Sequence, residues 1–434
     1  MKTIRVALLG LGTVGTGVYE TIYSHQLKLR EALGSPVEIV GVLVKDRHKQ
    51  RDIHERILVT TDIEELLNLK EIDVVFEAIV GIEPANSYIR KFLKKGCHVI
   101  SANKELLANK GNELTEFARN KKRLLTFEAA VAGGVPLIRT ITQLLQINGI
   151  VKVEAILNGT SNYILTRMRK EHLSYQEVLL DAQNLGYAEA DPSNDILGID
   201  SFYKLMILSN LIYGEQPEWE NVERIGIKNV STLDLIVGEK LGLRLKLIAT
   251  LTNEQNRIFA EVKPTFVDQN HQLFNVEGVD NGIVIKTDLV GSILLQGPGA
   301  GSKATASAMI EDLVYVKQQV IQSDVQQRFS YRGEEQEKSL SAWLSIINAP
   351  TSKTLKNNYL TKSNPRNFGI EHVKREMIKT DHGYIVGDLL VGKREDVLHF
   401  LQKVDQESLR FYEVSSTNLK QDDHSQHVLQ TTIL

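Results

Sequence analysis

Several residue types and patterns are scarce in this sequence, and each scarcity excludes a class of protein. Cys97 is the only cysteine among 434 residues, which excludes an intramolecular disulfide framework and a cysteine-based metal cluster. No apolar run approaches the roughly 18 residues that a membrane-spanning helix needs. The formal net charge is only −3, and no basic stripe carries interleaved aromatic residues, so we expect neither a nucleic-acid nor a membrane partner. These features predict a soluble cytoplasmic protein.

The chain length and the first residues set the outer organisation. At 434 residues the chain exceeds one ordinary hydrophobic core, which predicts two or three domains. The opening stretch MKTIRVALLG has a short apolar run that leads directly into a glycine-rich motif. This arrangement predicts a first β-strand rather than a signal peptide with a cleavage site.

A glycine-rich turn near the start is typical of a dinucleotide-binding site. The strand predicted over 4–9 is followed by GLGTVG, which contains Gly10, Gly12 and Gly15, and then by a helix predicted over 16–23. Glycines at this spacing allow a tight turn and let a pyrophosphate approach the helix N-terminus. Strands and helices then alternate as far as residue 127, which predicts a Rossmann-type parallel sheet.

The loop after the second predicted strand, 37–44, bears on the choice of cofactor. An acidic residue there usually binds the adenosine ribose of NAD, whereas a basic one accommodates the extra phosphate of NADP. Lys45 and Arg47 favour NADP(H), and Asp46 leaves NAD(H) possible. The alternative is a basic loop that is merely solvated.

Two further segments of the first third are candidates for ligand contacts. Lys104 follows the strand predicted over 97–100, at the sheet edge where parallel sheets bind ligands, although a lysine there is often simply exposed. Cys97 is predicted to lie inside that strand and to pack in the core. Glu128 precedes AAVAGGVP, whose small residues allow close backbone contact, so the carbonyls could bind an ion or simply pack tightly.

An acidic corner, GYAEADPSNDILGIDSFYK over 186–204, dominates the middle of the chain. We expect Asp195 to cap a helix over 196–211, in which Asp200 and Lys204 share a face four residues apart. Such a pair is usually a weak surface salt bridge. This helix is apolar almost all round, however, which indicates burial, and buried ion pairs belong to chemistry or to a buried network.

The surroundings of the corner predict an α+β domain. The strand predicted over 151–157 leads into NGTSN, where Asn158 and Thr160 could line a polar substrate pocket or act only as turn and cap residues. The glycine-rich turn GPGAG, ending at Gly301, could contact the cofactor or be a flexible connection. Further strands are predicted over 244–251, 258–267, 282–288 and 292–296, with a turn at 280–282 and a helix over 302–327.

Taken together, six motifs resemble homoserine dehydrogenase over roughly residues 4 to 327. They are GLGTVG, SANKELLA, EAAVAGGVP, ILNGTSNYILTRM, the acidic corner and GPGAGSKATA. The resemblance implies the NAD(P)H-dependent, reversible reduction of L-aspartate 4-semialdehyde to L-homoserine, with Lys204 and Lys104 catalytic and Asp195 a further active-site acid. It implies that Glu189 and Asp200 bind the substrate, that a monovalent cation such as Na⁺ is bound, and that the chain forms a homodimer or homotetramer. The implied cofactor contacts are Thr13, Val14, Ser101, Lys104 and Gly301, and the implied cation ligands are Glu128, Val131, Gly133 and Val135.

The chemistry agrees with two lysines in the site. Hydride arriving at the aldehyde carbon creates an alkoxide, which an ammonium group can stabilise and protonate. The sequence alone does not decide which lysine donates the proton. Two alternatives are another NADP-linked amino acid dehydrogenase and a dinucleotide-binding sensor without catalysis. Aspartate-semialdehyde dehydrogenase is disfavoured because Cys97, predicted inside a strand, does not suit a nucleophile.

The last hundred residues are predicted to form a regulatory unit. The predicted order is a strand (340–347), a helix (370–378), a strand (384–391), a helix (394–404) and a strand (409–414), which is similar to an ACT domain. The turn that usually binds the ligand in ACT domains is absent. Two alternatives stay open, in which the unit responds to threonine or serves only for dimerisation. His424 and His427 in the polar tail are weak indications of a metal. We therefore predict three domains, over 1–140 with the helix 302–327, over 141–301 and over 335–434.

Overall fold

The computed structural model describes residues 2–254, 257–321, 340–349, 365–380, 383–403 and 409–415. Two sheets organise these residues, one of six strands and one of ten. Each sheet is buried against helices, and the site discussed below lies where helices that start beside the two sheets meet.

The first sheet is entirely parallel, as the alternation of strands and helices predicts. Its order is β3-β2-β1-β4-β5-β6, so the direction of winding changes between β1 and β4. Ligands bind at the carboxyl ends of strands beside such a switch point. The elements are β1 (Ile4–Leu9), α1 (Thr13–Ser24), α2 (Gln26–Leu33), β2 (Val37–Leu43), β3 (Leu58–Thr60), α3 (Ile63–Leu67), β4 (Val74–Glu77), α4 (Ala85–Lys95), β5 (His98–Ser101), α5 (Lys104–Asn120) and β6 (Leu125–Thr126).

The middle of the chain builds helices against one face of the second sheet. The elements are α6 (Ala129–Ala132), α7 (Leu137–Arg139), β7 (Ile150–Ile156), α8 (Gly159–Glu171), α9 (Tyr175–Asn184), α10 (Ser193–Ile196), α11 (Ile199–Tyr213), β8 (Glu223–Arg224), α12 (Thr232–Lys240), β9 (Leu243–Glu254), β10 (Arg257–Asp268), β11 (Asp280–Thr287), β12 (Ser292–Pro298) and α13 (Ser302–Ile321). Helix α13 returns to pack on α1 so closely that a Cβ added at Gly17 would lie 2.5 Å from Ser302 Oγ. The helix predicted over 302–327 is therefore confirmed as far as Ile321, and its last residues lie outside the described ranges.

The second sheet continues without a break into the C-terminal region. Its order is β12-β11-β7-β9-β10-β16-β13-β15-β14, and β8 pairs separately with β10. The join is a parallel pairing of β10 with β16, in which Thr265 is opposite Glu413. Asp234 of α12 is fully buried and accepts hydrogen bonds from Arg410 Nε at 2.9 Å and Tyr412 Oη at 2.7 Å. The added elements are β13 (Ser341–Ala349), β14 (Glu371–Thr380), β15 (Gly383–Gly392), α14 (Arg394–Lys403) and β16 (Leu409–Ser415).

Three predictions about strands were wrong. The helix predicted over 370–378 is strand β14, because pairing with β15 overrides the helix preference of its glutamate, lysine and methionine residues. The turn predicted at 280–282 lies inside β11, where Asn281 pairs with Gly297. Cys97 precedes β5 instead of lying within it; it is buried, and its thiol donates to the carbonyl of Ile72 at 3.2 Å.

Candidate active site

The candidate site begins with the first turns of α11. Gly198 takes the left-handed conformation, with φ of 74°, and starts the helix at Ile199. The side chains of Asp200 and Lys204 are only 2% and 9% exposed, and Lys204 Nζ lies 2.8 Å from Asp200 Oδ2. Lys204 Nζ also donates to the carbonyl of Leu157 at 2.6 Å. The ion pair predicted from spacing is therefore part of a buried network and not a surface pair.

Asp195 does not cap α11 as predicted. It lies within the short helix α10, because Gly198 separates α10 from α11 and supplies the start of the longer helix. Its carboxylate accepts a hydrogen bond from Asn158 Nδ2 at 2.7 Å. Burial raises the pKa of Asp195, and the negative charge of Asp200 raises it further. The structure thus brings Asp195 into the network from a different element than expected.

The second lysine reaches the same carboxylate from the first sheet. Lys104 is the first residue of α5, which Asn103 caps by accepting from the Leu106 amide at 3.0 Å. Lys104 Nζ pairs with Asp200 Oδ1, while its side chain remains 43% exposed. A single buried carboxylate therefore bridges two ammonium groups that come from two different helices, α5 and α11.

The pKa values of the two lysines are shifted in opposite directions. Attraction to Asp200 is the main cause of the raised pKa of Lys104, which the charges of Asp195 and Glu189 also favour. Burial is the main cause of the lowered pKa of Lys204, against the attraction of Asp200. Burial alone would raise the pKa of Asp200, but the two lysines hold it below its usual value, so Asp200 stays ionised.

Asn158 organises the acidic groups. Its Oδ1 accepts from the Ser161 amide at 2.8 Å and so caps α8. Its Nδ2 donates to Asp195 and, at 2.9 Å, to Asp200 Oδ2. Both amide protons are thus donated to protein carboxylates. This geometry combines the two sequence interpretations, because Asn158 is a cap residue and also lies within the site.

Glu189 and Thr160 lie where the acidic corner closes over α8. Thr160 Oγ1 donates to the carbonyl of Tyr187 at 2.6 Å, which ties α8 to the loop that carries Glu189. Glu189 itself is exposed, and its charge helps to raise the pKa of Lys104. Glu189 is therefore the solvent-side acid of the site, and Asp200 is the buried one.

The glycine-rich turn forms a cradle at the start of α1. Gly10 has φ of 99°, and a Cβ added there would lie 2.8 Å from the carbonyl oxygen of Ala78. An added Cβ at Gly15 would lie 2.1 Å from the Gly10 carbonyl oxygen, whereas one at Gly12 would meet nothing within 4 Å. Gly12 caps α1 without a side-chain hydrogen bond. The first turn of α1 therefore has no side-chain cap and has open space beside Gly12, as a bound pyrophosphate requires.

Three further predicted cofactor contacts, Thr13, Val14 and Gly301, border this cradle. Thr13 and Val14 form the first turn of α1, and Ser302 Oγ donates to the Thr13 carbonyl at 3.0 Å, which brings Gly301 beside them. Gly301 has φ of 106° and open space at its Cβ position. Ser101 ends β5 and is completely buried.

The basic loop after β2 is open to solvent. Lys45 and Arg47 are exposed. Asp46 Oδ1 accepts from the His48 amide at 2.8 Å, and its carbonyl accepts from Arg51 at 2.7 Å. Asp46 is therefore engaged with its own turn, while the exposed Lys45 and Arg47 can meet an anion.

The segment after Glu128 forms a buried, electronegative turn. Glu128 is 3% exposed and accepts from the amides of Ile138 at 2.8 Å and Arg139 at 2.9 Å. Burial raises its pKa to about 7, and those amides oppose the rise. Val131, Gly133 and Val135 follow in α6 and the turn before α7, and the Val135 carbonyl accepts from the Leu137 amide at 2.8 Å.

Two residues of the site escaped the sequence interpretation. Glu77, the last residue of β4, is fully buried beneath Ser101. Asn281 is fully buried in β11 and donates to the carbonyl of Leu157 at 3.2 Å, beside Lys204. A carboxylate at the carboxyl end of a buried strand was a usable signal for Glu77. Asn281 had no such signal, because its DNG sequence is typical of a turn.

Two kinds of feature are absent from the described residues. No described helix is long and apolar enough to cross a membrane. Within the same ranges, no group of three or more histidine, cysteine, aspartate or glutamate side chains could bind a metal ion. His424 and His427 lie outside the ranges that the structure describes.

Comparison with protein families gives two matches that divide the chain. Residues 10–128 match the model described as "Homoserine dehydrogenase, NAD binding domain". Residues 136–314 match the model described as "Homoserine dehydrogenase". The boundary between the matches falls in the turn that follows Glu128.

Individual proteins give the same result. The homoserine dehydrogenase of Bacillus subtilis is 41% identical over 317 residues, which are 73% of each chain. A crystal structure of a homoserine dehydrogenase from Thiobacillus denitrificans superposes with a TM-score of 0.84 at 32% identity, covering 96% of this chain and 99% of that one. A hyperthermophilic archaeal homoserine dehydrogenase in complex with NADPH superposes with a TM-score of 0.62 at 27% identity, covering 73% and 98%.

Proposed function

This chain belongs to the homoserine dehydrogenase family and is an NAD(P)-dependent oxidoreductase that interconverts L-aspartate 4-semialdehyde and L-homoserine, and we propose that Lys204, Lys104 and Asp200 carry the reaction. The main support for this proposal is the buried Asp200 carboxylate, which bridges the ammonium groups of Lys104 in α5 and Lys204 in α11. A dinucleotide-binding sensor would need neither lysine.

We assign substrate binding to the acids of the corner. The substrate carries an α-ammonium group, and Glu189 and Asp200 are the acids placed to attract it, with Asp195 adding negative charge. Asn158 and Thr160 act beside them, the first by orienting Asp195 and Asp200 and the second by fixing the loop. This arrangement favours an amino acid aldehyde over a simple aldehyde.

The proton transfer follows from the difference between the lysines. When bound, the nicotinamide would supply the hydride, and reduction of the aldehyde would leave its oxygen as an alkoxide. Lys204 Nζ donates the proton that converts this alkoxide into the hydroxyl of homoserine, since its lowered pKa makes it the stronger acid. Lys104 keeps its proton and stabilises the developing negative charge.

We assign the cofactor to the cradle at Gly10, Gly12 and Gly15, with NADP(H) preferred and NAD(H) possible. The exposed Lys45 and Arg47 support this preference, because Asp46 is engaged with its own turn. Thr13, Val14, Ser101, Lys104 and Gly301 complete the proposed contacts.

We assign a structural monovalent cation, such as Na⁺, to the turn after Glu128. Burial raises the pKa of both Glu128 and Asp312, which pair with Arg139, and a bound cation would stabilise the charged form of both carboxylates. The backbone carbonyls of Val131, Gly133 and Val135 would supply the remaining oxygen ligands.

The assembly and location are proposed on separate grounds. The sheet face opposite the helices exposes Phe259 and Leu294, at 50% and 38%, which supports a homodimer or homotetramer formed through the second sheet. Light scattering at several protein concentrations tests the assembly. The cytoplasmic location is tested by cell fractionation.

One assay tests the function. Absorbance of NADPH, and separately of NADH, is followed after adding L-aspartate 4-semialdehyde, with and without threonine. We expect rapid oxidation, faster with NADPH. Cofactor binding without oxidation would contradict the assignment of the lysines. Inhibition by threonine would assign an effector to the C-terminal region, and its absence would leave that region a dimerisation unit.

A further inference from the structure

A buried carboxylate at the end of β4 takes no part in the mechanism above. Glu77 is 0% exposed, and it forms no salt bridge with any residue in the described ranges. Burial raises its pKa to about 7, whereas hydrogen bonds from Ser101, the Ile79 amide and Asn103 lower it. A buried acid without a counter-ion is costly in free energy unless hydrogen bonds satisfy it, so its neighbours indicate its role.

Both oxygens of Glu77 are engaged by groups at the carboxyl edge of the first sheet. Oε1 accepts from the Ile79 amide at 2.7 Å, in the loop that follows β4. Oε2 accepts from Ser101 Oγ at 2.5 Å, at the end of the neighbouring strand β5. The Glu77 carbonyl also accepts from the Ala102 amide at 3.0 Å. Glu77 therefore joins two strand ends beside the switch point of the sheet.

From Ser101 the hydrogen bonds continue to the start of α5. Ser101 Oγ accepts from the Asn103 amide at 3.1 Å. The side chain of Asn103 then caps α5 through the Leu106 amide at 3.0 Å and donates to the Gly81 carbonyl at 2.7 Å. Gly81 lies in the same loop as Ile79, so the chain of hydrogen bonds closes into a ring. Lys104, the next residue after Asn103, begins the helix that this ring fixes.

The exposure of Lys104 explains why such a ring is needed. Its side chain is 43% exposed, so packing does not fix its position as it does for the buried Lys204. The ammonium group must nevertheless reach Asp200 across the boundary between the two sheets. Its direction therefore depends on where α5 starts.

We propose that Glu77 is a positioning residue that, through Ser101 and Asn103, fixes the start of α5 and hence the point from which Lys104 reaches Asp200. The inference rests on the proposed role of Lys104. It assigns a function in the reaction to a buried acid that contacts neither lysine.

The first experiment compares two ends of β4. Glu77→Ala removes both acceptors at the carboxyl end, and we expect kcat to fall about ten- to a hundredfold, because small misplacements of a catalytic group cost that much. Glu77→Gln keeps the acceptor for the Ile79 amide and should lose less. The matched control is Asp73→Asn at the amino end, where Asp73 accepts from the Arg5 amide at 2.8 Å. Circular dichroism and fluorescence titration with NADPH should show that all three variants fold and bind the cofactor.

The second experiment is a double-mutant cycle with Lys104→Ala. If Glu77 acts through Lys104, Glu77→Ala should cause little further loss of kcat/KM in the Lys104→Ala background. Equal losses in both backgrounds, or unchanged kcat in folded Glu77→Ala and Glu77→Gln, would overturn the proposal. Should Glu77→Ala fail to fold, Glu77→Gln takes its place in the cycle. Wild-type activity of Lys104→Ala alone would instead overturn the proposed function, so the two failures are distinguishable.

Discussion

The start of α5 and the start of α11 each present a lysine to Asp200, and they do so in opposite ways. Lys104 is half exposed, keeps a raised pKa and depends on a ring of hydrogen bonds around its helix start. Lys204 is buried, has a lowered pKa and is fixed by packing and by the Leu157 carbonyl. Two identical side chains on one carboxylate thus acquire different acidities, because attraction to Asp200 dominates for Lys104 and burial dominates for Lys204. This difference suits Lys204 to donate a proton and Lys104 to stabilise charge.

Removing each lysine in turn should have the largest effect on kcat and tests whether the two lysines have different roles. We expect Lys204→Ala to lower kcat for semialdehyde reduction by about 10³- to 10⁴-fold, because it removes the general acid, and Lys104→Ala by about 10²-fold. Stopped-flow measurement of NADPH oxidation checks both, and fluorescence titration should show retained NADPH binding in the Lys204 variant. A smaller loss for Lys204→Ala than for Lys104→Ala would reverse the assigned roles.

Neutralising the shared carboxylate removes the partner on which both lysines depend. We expect Asp200→Asn to lower kcat/KM by about 10²-fold, since the amide cannot neutralise two ammonium groups and loses an attraction for the substrate. Asn158→Asp is not a suitable control, because it adds charge to the same network. Thr142→Val is an isosteric control, because the Thr142 hydroxyl donates to the Ile138 carbonyl at 2.8 Å and belongs to no proposed site, and it should leave kcat/KM unchanged.

The pH dependence of the reduction rate tests which lysine donates the proton. Burial places the pKa of Lys204 below the usual 10.5, so the proton donor is lost, and the rate of reduction falls, as the pH rises through that lowered value. The positive charge of Lys104 contributes to the lowering. Lys104→Met should therefore raise the pKa of Lys204 and move the alkaline limb of the kcat profile to higher pH. A limb that stays in place or moves to lower pH would show that Lys204 is not the group observed.

The smallest expected effect comes from substitutions in the loop after β2. This loop is not part of the comparison between Lys104 and Lys204, so its variants serve as a reference. We expect Lys45→Ala and Arg47→Ala each to weaken NADPH binding by about three- to tenfold, as loss of one partly solvated charge contact to a phosphate does. NADH binding should change little, and neither substitution should alter the pH profile. Equal weakening of both cofactors would show that the loop does not recognise the extra phosphate.

Local patterns in the sequence were enough for much of this site. The four-residue spacing of Asp200 and Lys204 and the apolar surroundings indicated a buried pair, which the structure has. The role of Asn158 as a cap of α8 is also local, because Asn158 and Ser161 lie within one turn.

The remaining features depend on contacts that no local pattern records. Lys104 comes to Asp200 only when α5 packs against α11, and Glu77 finds Ser101 only when β4 pairs with β5. The same cause explains the error at β14, where pairing with β15 decided the conformation of a segment with helix-forming residues. Pairing between distant segments therefore explains both the contacts that the sequence did not predict and the helix that was wrongly predicted at β14.

The pairing of β10 with β16 has a consequence for dissecting the molecule. The last third of β10 pairs with β16 at Thr265, Phe266 and Val267. Removing the chain after α13 would turn this stretch into an uncovered edge with unpaired hydrogen-bonding groups, which is a template for association with another chain. The C-terminal region, whatever it binds, thereby covers an edge of the sheet that would otherwise be open.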